Sequence, residues 1–284
     1  MNQFKIFIYL TRLNKPIGYM LLFWPCAFGL MYAFKKQTFF DQIFLYMILF
    51  FLGSILMRSA GCIINDVVDR NIDKKVMRTK NRPIPSGLIT VKRSLVYACI
   101  LCLFAFFILI QFNFLTIALG FASMFLAFSY PFMKRITYWP QLFLGLTFNW
   151  GIIMGWTSVN PEITIEIVLL YLSAIFWTLG YDTIYGLQDV IDDEIIGMKS
   201  TSIKFKNYSK QFVSMCYAIN IFILIFLFKD LIGINLFSVF FLIFSLSLII
   251  QLFYFDKKKP EKCLKAFKFN NISGLFLFLS IFNL

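Results

Sequence analysis

Apolar residues run through this chain in blocks of about twenty, separated by short polar stretches. The blocks fall at about 17–34, 43–64, 94–112, 114–133, 138–159, 163–187, 211–228, 231–254 and 269–284. Each of the first eight is long enough to cross the roughly 30 Å hydrocarbon core of a bilayer as a helix; the last is short for a span. The third and fourth blocks are divided only by Gln111 and Asn113. Before the first block, MNQFKIFIYLTRLNKP reads as amphipathic and carries no cleavable signal pattern. No polar stretch is long enough to fold alone, so residues 1–284 are expected to form a single transmembrane domain. The pattern predicts an all-α integral membrane protein with about nine transmembrane helices.

Composition agrees. The 284 residues have a mean hydropathy of +0.78 and are 60% hydrophobic, 20% aromatic and 14% charged, with 38 Phe. Soluble domains average about 25% charged residues. The cations fix the orientation. With the N-terminus placed on one side and the spans alternating, 24 of the 27 Lys and Arg fall on that side. Only Lys35, Lys36 and Lys229 fall opposite. The positive-inside rule then makes the N-terminus cytoplasmic and the C-terminus external. The net charge of +13 is explained by a cytoplasmic face over anionic lipid, and no nucleic acid is expected as a partner. The lack of a long basic presequence favours a bacterial inner (cytoplasmic) membrane over a mitochondrial inner membrane.

The six cysteines include a CxxC pair, Cys99 and Cys102, but there is no second ligand pair and no His, so a packed or lipid-facing helix is the better reading than zinc or redox chemistry. Gly151 and Gly155 form a GxxxG, read as close helix packing.

The carboxylates are the informative feature. Eight of the chain's 14 acidic residues lie in two stretches, NDVVDRNID (65–73) and DTIYGLQDVIDDEIIG (182–197). Asn65, Asp69 and Asp73 are spaced i, i+4, i+8, a single stripe about 12 Å long if the helix continues. Asp189 and Asp193 repeat the i, i+4 spacing, with Asp182 seven residues earlier on roughly the same face. Like charges so spaced destabilise a helix, and at a membrane surface they also cost desolvation. A hard divalent cation with oxygen ligands offsets both, and Mg²⁺ uses one or two carboxylates with phosphate oxygens and water. Both clusters fall on the cytoplasmic side, each at the end of an apolar block. Arg78, Lys80 and Arg82 follow the first and Lys199 the second, as suits a metal–diphosphate complex; Lys80 and Lys92 are read as part of the basic face. The two stretches resemble each other, a hint of internal duplication.

These residues resemble the UbiA superfamily of intramembrane prenyltransferases. RLNKPIGYMLLFWP (12–25), MRSAGCIINDVVDRNIDKKVMRTKNRPIPSG (57–87), YPFMKRITYWPQ (130–141) and YDTIYGLQDVIDDEIIGMKSTS (181–202) look like the branch that uses 4-hydroxybenzoate. The resemblance implies nine helices round a central cavity, Mg²⁺ at its cytoplasmic mouth, and a polyprenyl diphosphate whose tail lies in the bilayer. It implies transfer of the polyprenyl group to the ring of 4-hydroxybenzoate, ortho to the hydroxyl, in ubiquinone biosynthesis. By position it makes Asn65, Asp69, Asp73, Asp189 and Asp193 metal ligands. Arg70, Arg78, Arg82, Lys134 and Lys199 are then expected at the diphosphate, Arg135 at the acceptor's carboxylate, and Asp182 at the phenol. Tyr130, Tyr181 and Tyr185 lie near the motifs, where ring faces can stabilise an allylic cation.

Some features depart from the family pattern. GIIMGW (151–156) lacks an expected proline, the first motif ends DKK, and residues 204–284 carry few motifs. Three other readings compete. A CDP-alcohol-type transferase needs a DGxxAR motif that is not here, and a cation transporter needs ionisable groups at mid-membrane. A prenyltransferase with another acceptor (haem, chlorophyllide, another quinone precursor) would keep the metals and change only the acceptor.

Overall fold

Each of the nine apolar blocks is a helix in the protein's structure, a computed structural model that describes residues 2–35 and 42–284. Thirteen α-helices follow in order: α1 (Gln3–Thr11), α2 (Ile17–Lys35), α3 (Ile43–Val68), α4 (Arg70–Asp73), α5 (Val91–Leu109), α6 (Phe114–Ile136), α7 (Pro140–Thr157), α8 (Ile165–Gly186), α9 (Val190–Ile196), α10 (Thr201–Lys204), α11 (Ser209–Leu227), α12 (Leu236–Tyr254) and α13 (Pro260–Phe282). The described residues contain no strand. Lys36, assigned from sequence to the far face, lies outside them.

Seven helices, α2, α3, α5, α6, α8, α11 and α12, are long and apolar enough to cross a membrane. The protein is an all-helical membrane protein. The other two predicted spans, α7 and α13, are helices of 18 and 23 residues that do not meet that measure of apolarity. The last block begins at Pro260 rather than 269, because Lys262, Lys265 and Lys268 are taken into its first turns. The division between α5 and α6 falls where Asn113 caps α6, its side chain accepting from the Thr116 N–H at 2.9 Å.

In lipid, helices gain little from hiding apolar surface from one another, so close packing and interhelical hydrogen bonds hold them. Both are present. Helix α2 is buried from Phe23 through Phe34 and packs on α7, α3 and α13. At the α2–α7 contact, a Cβ on Gly155 would fall 2.3 Å from the Cys26 carbonyl oxygen, and one on Gly151 2.5 Å from the Cys26 sulfur. The GxxxG thus lets α2 and α7 approach backbone to backbone. Asn149 of α7 donates to the Ala174 carbonyl at 3.1 Å and to Thr178 Oγ1 at 2.8 Å on α8. Trp177 of α8 donates to Asn270 of α13 at 2.8 Å, and Asn270 donates to Gln251 of α12 at 2.9 Å. Tyr217 of α11 closes this network by donating to the same Gln251 oxygen at 2.9 Å.

Helix α1 is the predicted amphipathic segment. Ile6 and Leu10 are buried against a cluster that includes Ala60 and Ile63 of α3, while Phe4 and Tyr9 are exposed. The helix ends at Arg12, whose φ of 56° is left-handed, a conformation that costs a non-glycine residue energy and marks an over-determined position.

The α2–α7 contact yields a test. Gly155→Val should overpack the contact and destabilise the fold by about 1–3 kcal/mol or more. Gly53→Ala should not, since the nearest atom to a new Cβ there is 4.0 Å away. Thermal unfolding of both variants in detergent, against wild type, checks the contrast.

Candidate active site at the cavity mouth

Both acidic stretches form corners. Helix α3 runs on past the predicted 64 and stops at Asp69 (φ −91°, ψ 6°), where the short α4 begins. Helix α8 stops after Gly186, and Asp189 (φ −112°, ψ 7°) starts α9. The expected unbroken stripes are therefore interrupted, at Asp69 in the first cluster and between Asp182 and Asp189 in the second. The i, i+4 spacing survives, because the Asp73 N–H still bonds the Asp69 carbonyl at 2.8 Å and the Asp193 N–H the Asp189 carbonyl at 2.8 Å. The likeness of the two sequences is matched by this likeness in backbone.

The two corners face one cavity of about 1710 Å³. Asn65, Asp69, Asp73, Asp189 and Asp193 all line it. So do Arg78, Arg82, Lys134 and Lys199, and, deeper, Asp182, Tyr130 and Tyr181. The carboxylates are matched by the chain's own cations. Arg78 donates to both Asp189 oxygens, at 2.7 and 2.5 Å, and its guanidinium lies 5.8 Å from the Tyr185 ring centre. Arg82 donates to Asp73 at 2.8 Å and to Asp66 at 3.1 Å. Lys134 stands 3.6 Å from Asp69. Burial pushes the Asp193 carboxyl up to about 6; the neighbouring Asp189 adds to this, and Lys134 and Arg78 oppose it. Burial likewise raises Asp73, against the pull of Arg82.

Two predicted residues lie elsewhere. Arg135, expected at the acceptor carboxylate, is off the cavity wall. It donates to the Val68 carbonyl at 2.9 Å and to Asp69 at 3.4 Å. Successive helix residues point about 100° apart, so Lys134 faces inward and Arg135 does not. Arg70 is exposed and also off the wall, for the same reason beside Asp69. Lys199 lines the cavity, but its ammonium donates to the Ile136 carbonyl at 3.2 Å.

Sequence reasoning missed three residues. Asp66 is 1% exposed and off the wall, and it binds both Arg12 and Arg82. This pairing ties the amphipathic α1 to the first corner. Its sequence signal was an extra Asp inside the motif. Arg12 itself, counted before only as an N-terminal cation, lines the cavity. Arg58, one of the 24 cations assigned to the cytoplasmic side, sits nearly three turns before the end of α3. It lines the cavity with its guanidinium 5.3 Å from the Phe148 ring centre and within electrostatic reach of Asp182. Unlike Arg12, Arg78 and Arg82, it pairs with no carboxylate among the described residues.

From this level the cavity continues as an apolar slot between α3 and α7, along Phe50, Gly53, Leu144 and Phe148. Helices α5 and α6 flank it. They meet near their shared turn, where Leu109 lies against Gly120. Phe106 and Phe121 are part of this contact, with ring centres 6.1 Å apart, while nearer the mouth Cys99 and Leu103 both line the cavity and are exposed, so the slot opens sideways to lipid there. The CxxC cysteines belong to this opening, and all six cysteines are free.

Among the described residues, no group of three or more His, Cys, Asp or Glu side chains converges as a metal cage. Mg²⁺ does not need one, since it takes one or two carboxylates and completes its octahedron with phosphate oxygens and water. Two cavity-facing oxygen clusters, each with two carboxylates and flanked by cations, fit such an ion bound together with a diphosphate.

Known proteins are similar to this chain in sequence and in fold. The UbiA prenyltransferase family profile matches residues 22–278. The mitochondrial 4-hydroxybenzoate polyprenyltransferase of Bos taurus is 42% identical over 281 residues, covering 97% of this chain and 74% of that protein. The 4-hydroxybenzoate octaprenyltransferase of Vibrio atlanticus (strain LGP32) is 38% identical over 278 residues, covering 98% and 96%. Among solved structures, the apo form of a UbiA homolog from Aeropyrum pernix K1 superposes with a TM-score of 0.78 at 19% identity, over 93% of this chain and 97% of that one. A UbiA homolog from Archaeoglobus fulgidus bound to GPP and Mg²⁺ gives 0.73 at 18% identity, over 98% and 100%. The structures share the fold, and the sequence match spans nearly the whole helical domain: the chain belongs to the UbiA prenyltransferase family.

Proposed function

We propose that the protein transfers a polyprenyl group from polyprenyl diphosphate to 4-hydroxybenzoate, ortho to the hydroxyl, as a membrane step of ubiquinone biosynthesis. The observation that carries this reading is the single cavity, with two carboxylate corners and a set of cations at one end and a lipid-open apolar slot at the other. The names of the most similar relatives support the acceptor and the pathway. The reading also takes nine spans and a bacterial inner membrane, with the N-terminus cytoplasmic; the cation asymmetry supports the orientation.

The residues divide by position. Asn65, Asp69 and Asp73 would hold one Mg²⁺, and Asp189 and Asp193 the other. When bound, Mg²⁺ supplies Lewis-acid charge that makes the diphosphate a better leaving group. Arg78, Arg82 and Lys134 face the same space and take the remaining phosphate charge. The tail lies in the slot and passes between α5 and α6 into lipid. As the C1–O bond breaks, the ring faces of Tyr130 and Tyr181 stand where an allylic cation forms, and the apolar walls keep water from quenching it. The ring carbon ortho to the hydroxyl bonds C1 and then loses its proton, diphosphate being the leaving group, while Asp182, deeper than the metal corners, accepts a hydrogen bond from the phenol of the acceptor. Arg58 takes the role first assigned to Arg135. An anion entering a low-dielectric cavity needs a fixed cation, and a guanidinium matches a carboxylate in a two-point fork.

Two predictions follow from these assignments. Asp69→Ala and Asp189→Ala should each lower turnover by about 100-fold or more while the protein still inserts and folds, because each removes a charged ligand rather than packing. Chelator should abolish wild-type activity and Mg²⁺ restore it. Near-normal turnover in either variant sinks the two-corner model. Separately, Arg58→Lys keeps the charge and loses the fork. It should raise the KM for 4-hydroxybenzoate about tenfold and leave that for the prenyl diphosphate nearly unchanged, while Arg135→Lys should shift the acceptor KM far less. The reverse pattern would return the carboxylate to Arg135.

A further inference from the structure

Helix α9 carries Asp193 and begins at Asp189, yet none of its residues is buried. Ile191 and Ile195 are exposed. Side-chain ion pairs reach the helix from Arg78, at Asp189, and from Lys206, at Glu194, and its backbone is tied to the helix bundle at its two ends. One end is the continuation of α8. The other is residues 199–202, where Ser200, Thr201 and Ser202 are all buried.

Those residues are bound to three helices at once. The Lys199 N–H donates to the Lys134 carbonyl of α6 at 2.9 Å. The Thr201 N–H donates to Gln141 Oε1 of α7 at 3.0 Å. The Thr201 hydroxyl shares a 2.7 Å hydrogen bond with the Thr183 hydroxyl of α8. The Ser202 hydroxyl donates to the Thr183 carbonyl at 2.8 Å. Gly186, at the end of α8, leaves room for this contact, since a Cβ there would fall 2.4 Å from Ser202 Oγ. Thr183, Thr201 and Ser202 are each 0% exposed, and Gln141 is 5% exposed. The loop from Leu187 to Met198 is therefore closed at its base, with Asp189 and Asp193 on the closed part.

We infer that Gln141, Thr183 and Thr201 form a buried clasp that positions the second carboxylate pair opposite the first. None of the three is a catalytic residue; they act through the backbone of the loop. The clasp also reaches the first corner, because Lys199 binds the backbone of Lys134 and the Lys134 ammonium faces Asp69. Opening it lets Asp189 and Asp193 move relative to Asp69 and weakens any ion–diphosphate complex held between them. The acceptor end of the cavity, at Arg58 and Asp182, sits on α3 and α8 themselves and does not depend on the loop. The inference rests on the proposed metal–diphosphate site and adds the residues that build it.

The test uses the full chain in detergent, with Mn²⁺ as the spectroscopic probe and inorganic pyrophosphate as the diphosphate. Free Mn²⁺ is read by electron paramagnetic resonance as protein is titrated. Thr201→Val and Gln141→Leu should each raise the half-saturating Mn²⁺ about tenfold or more, as for lost supporting contacts around a ligand. Thr201→Ser, which keeps the hydroxyl, should bind like wild type. In turnover assays the acceptor KM should stay within about twofold in all three. If Thr201→Val fails to accumulate, Gly186→Ala forces Ser202 away and should show the same rise. Equal Mn²⁺ affinity in wild type and the folded clasp variants overturns the inference and leaves the metal site standing. No Mn²⁺ binding by wild type with pyrophosphate overturns the metal site, and the clasp with it.

Discussion

A carboxylate drawn away from water must be matched by positive charge, and the mouth of this cavity is organised by that requirement. Asp66 is fully enclosed and grips Arg12 and Arg82. Arg82 reaches on to Asp73, Lys134 stands beside Asp69, and Arg78 forks onto Asp189. Such pairs return little net stability, because desolvation cancels most of the attraction. Their effect is on placement. They draw the N-terminal segment, the ends of α3, α6 and α8 and the 74–90 loop around one space, and they leave cations next to carboxylates, an arrangement that complements the proposed doubly charged ion and diphosphate.

The membrane supplies the other half. Little drives helices together in lipid except packing and hydrogen bonds, so the chain keeps Gly151 and Gly155 bare where α2 meets α7 and buries Trp177, Asn270, Gln251 and Tyr217 as a satisfied network. Helices α5 and α6 touch near their shared turn, where Leu109 lies against Gly120 and the Phe106 ring packs beside that of Phe121. In the proposed reaction, the opening on the mouth side of that contact gives an isoprenoid chain a path between the cavity and the bilayer, and the apolar slot excludes the water that would capture an allylic cation.

Much of this was legible in the sequence because the strongest signals are one-dimensional. Runs of apolar residues located all nine helices, and clustering of scarce carboxylates located both corners. What sequence could not supply was direction. Lys134 and Arg135 are adjacent letters, and only the helix phase decides that Lys134 faces in. Arg58 looked like one more basic residue of the cytoplasmic face, since a span boundary several residues off would have put it there. The same uncertainty hid the breaks at Asp69 and before Asp189, because i, i+4 spacing is equally consistent with an unbroken helix. Asp66 and Thr201 were missed for another reason: their partners Arg12 and Gln141 lie 54 and 60 residues away in sequence, and no local pattern announces them.

The central claim is that the two corners act together on one diphosphate. If the Asn65–Asp69–Asp73 corner and the Asp189–Asp193 corner each held an ion on the same diphosphate, the electron spins of the two ions would interact. Electron paramagnetic resonance of the protein with saturating Mn²⁺ and pyrophosphate reads that coupling directly. The account predicts two Mn²⁺ per chain with a spin-coupled spectrum, reduced to a single uncoupled ion when Asp189 is replaced by Ala. One uncoupled Mn²⁺ in the wild-type protein, or two with no spin interaction, would contradict it.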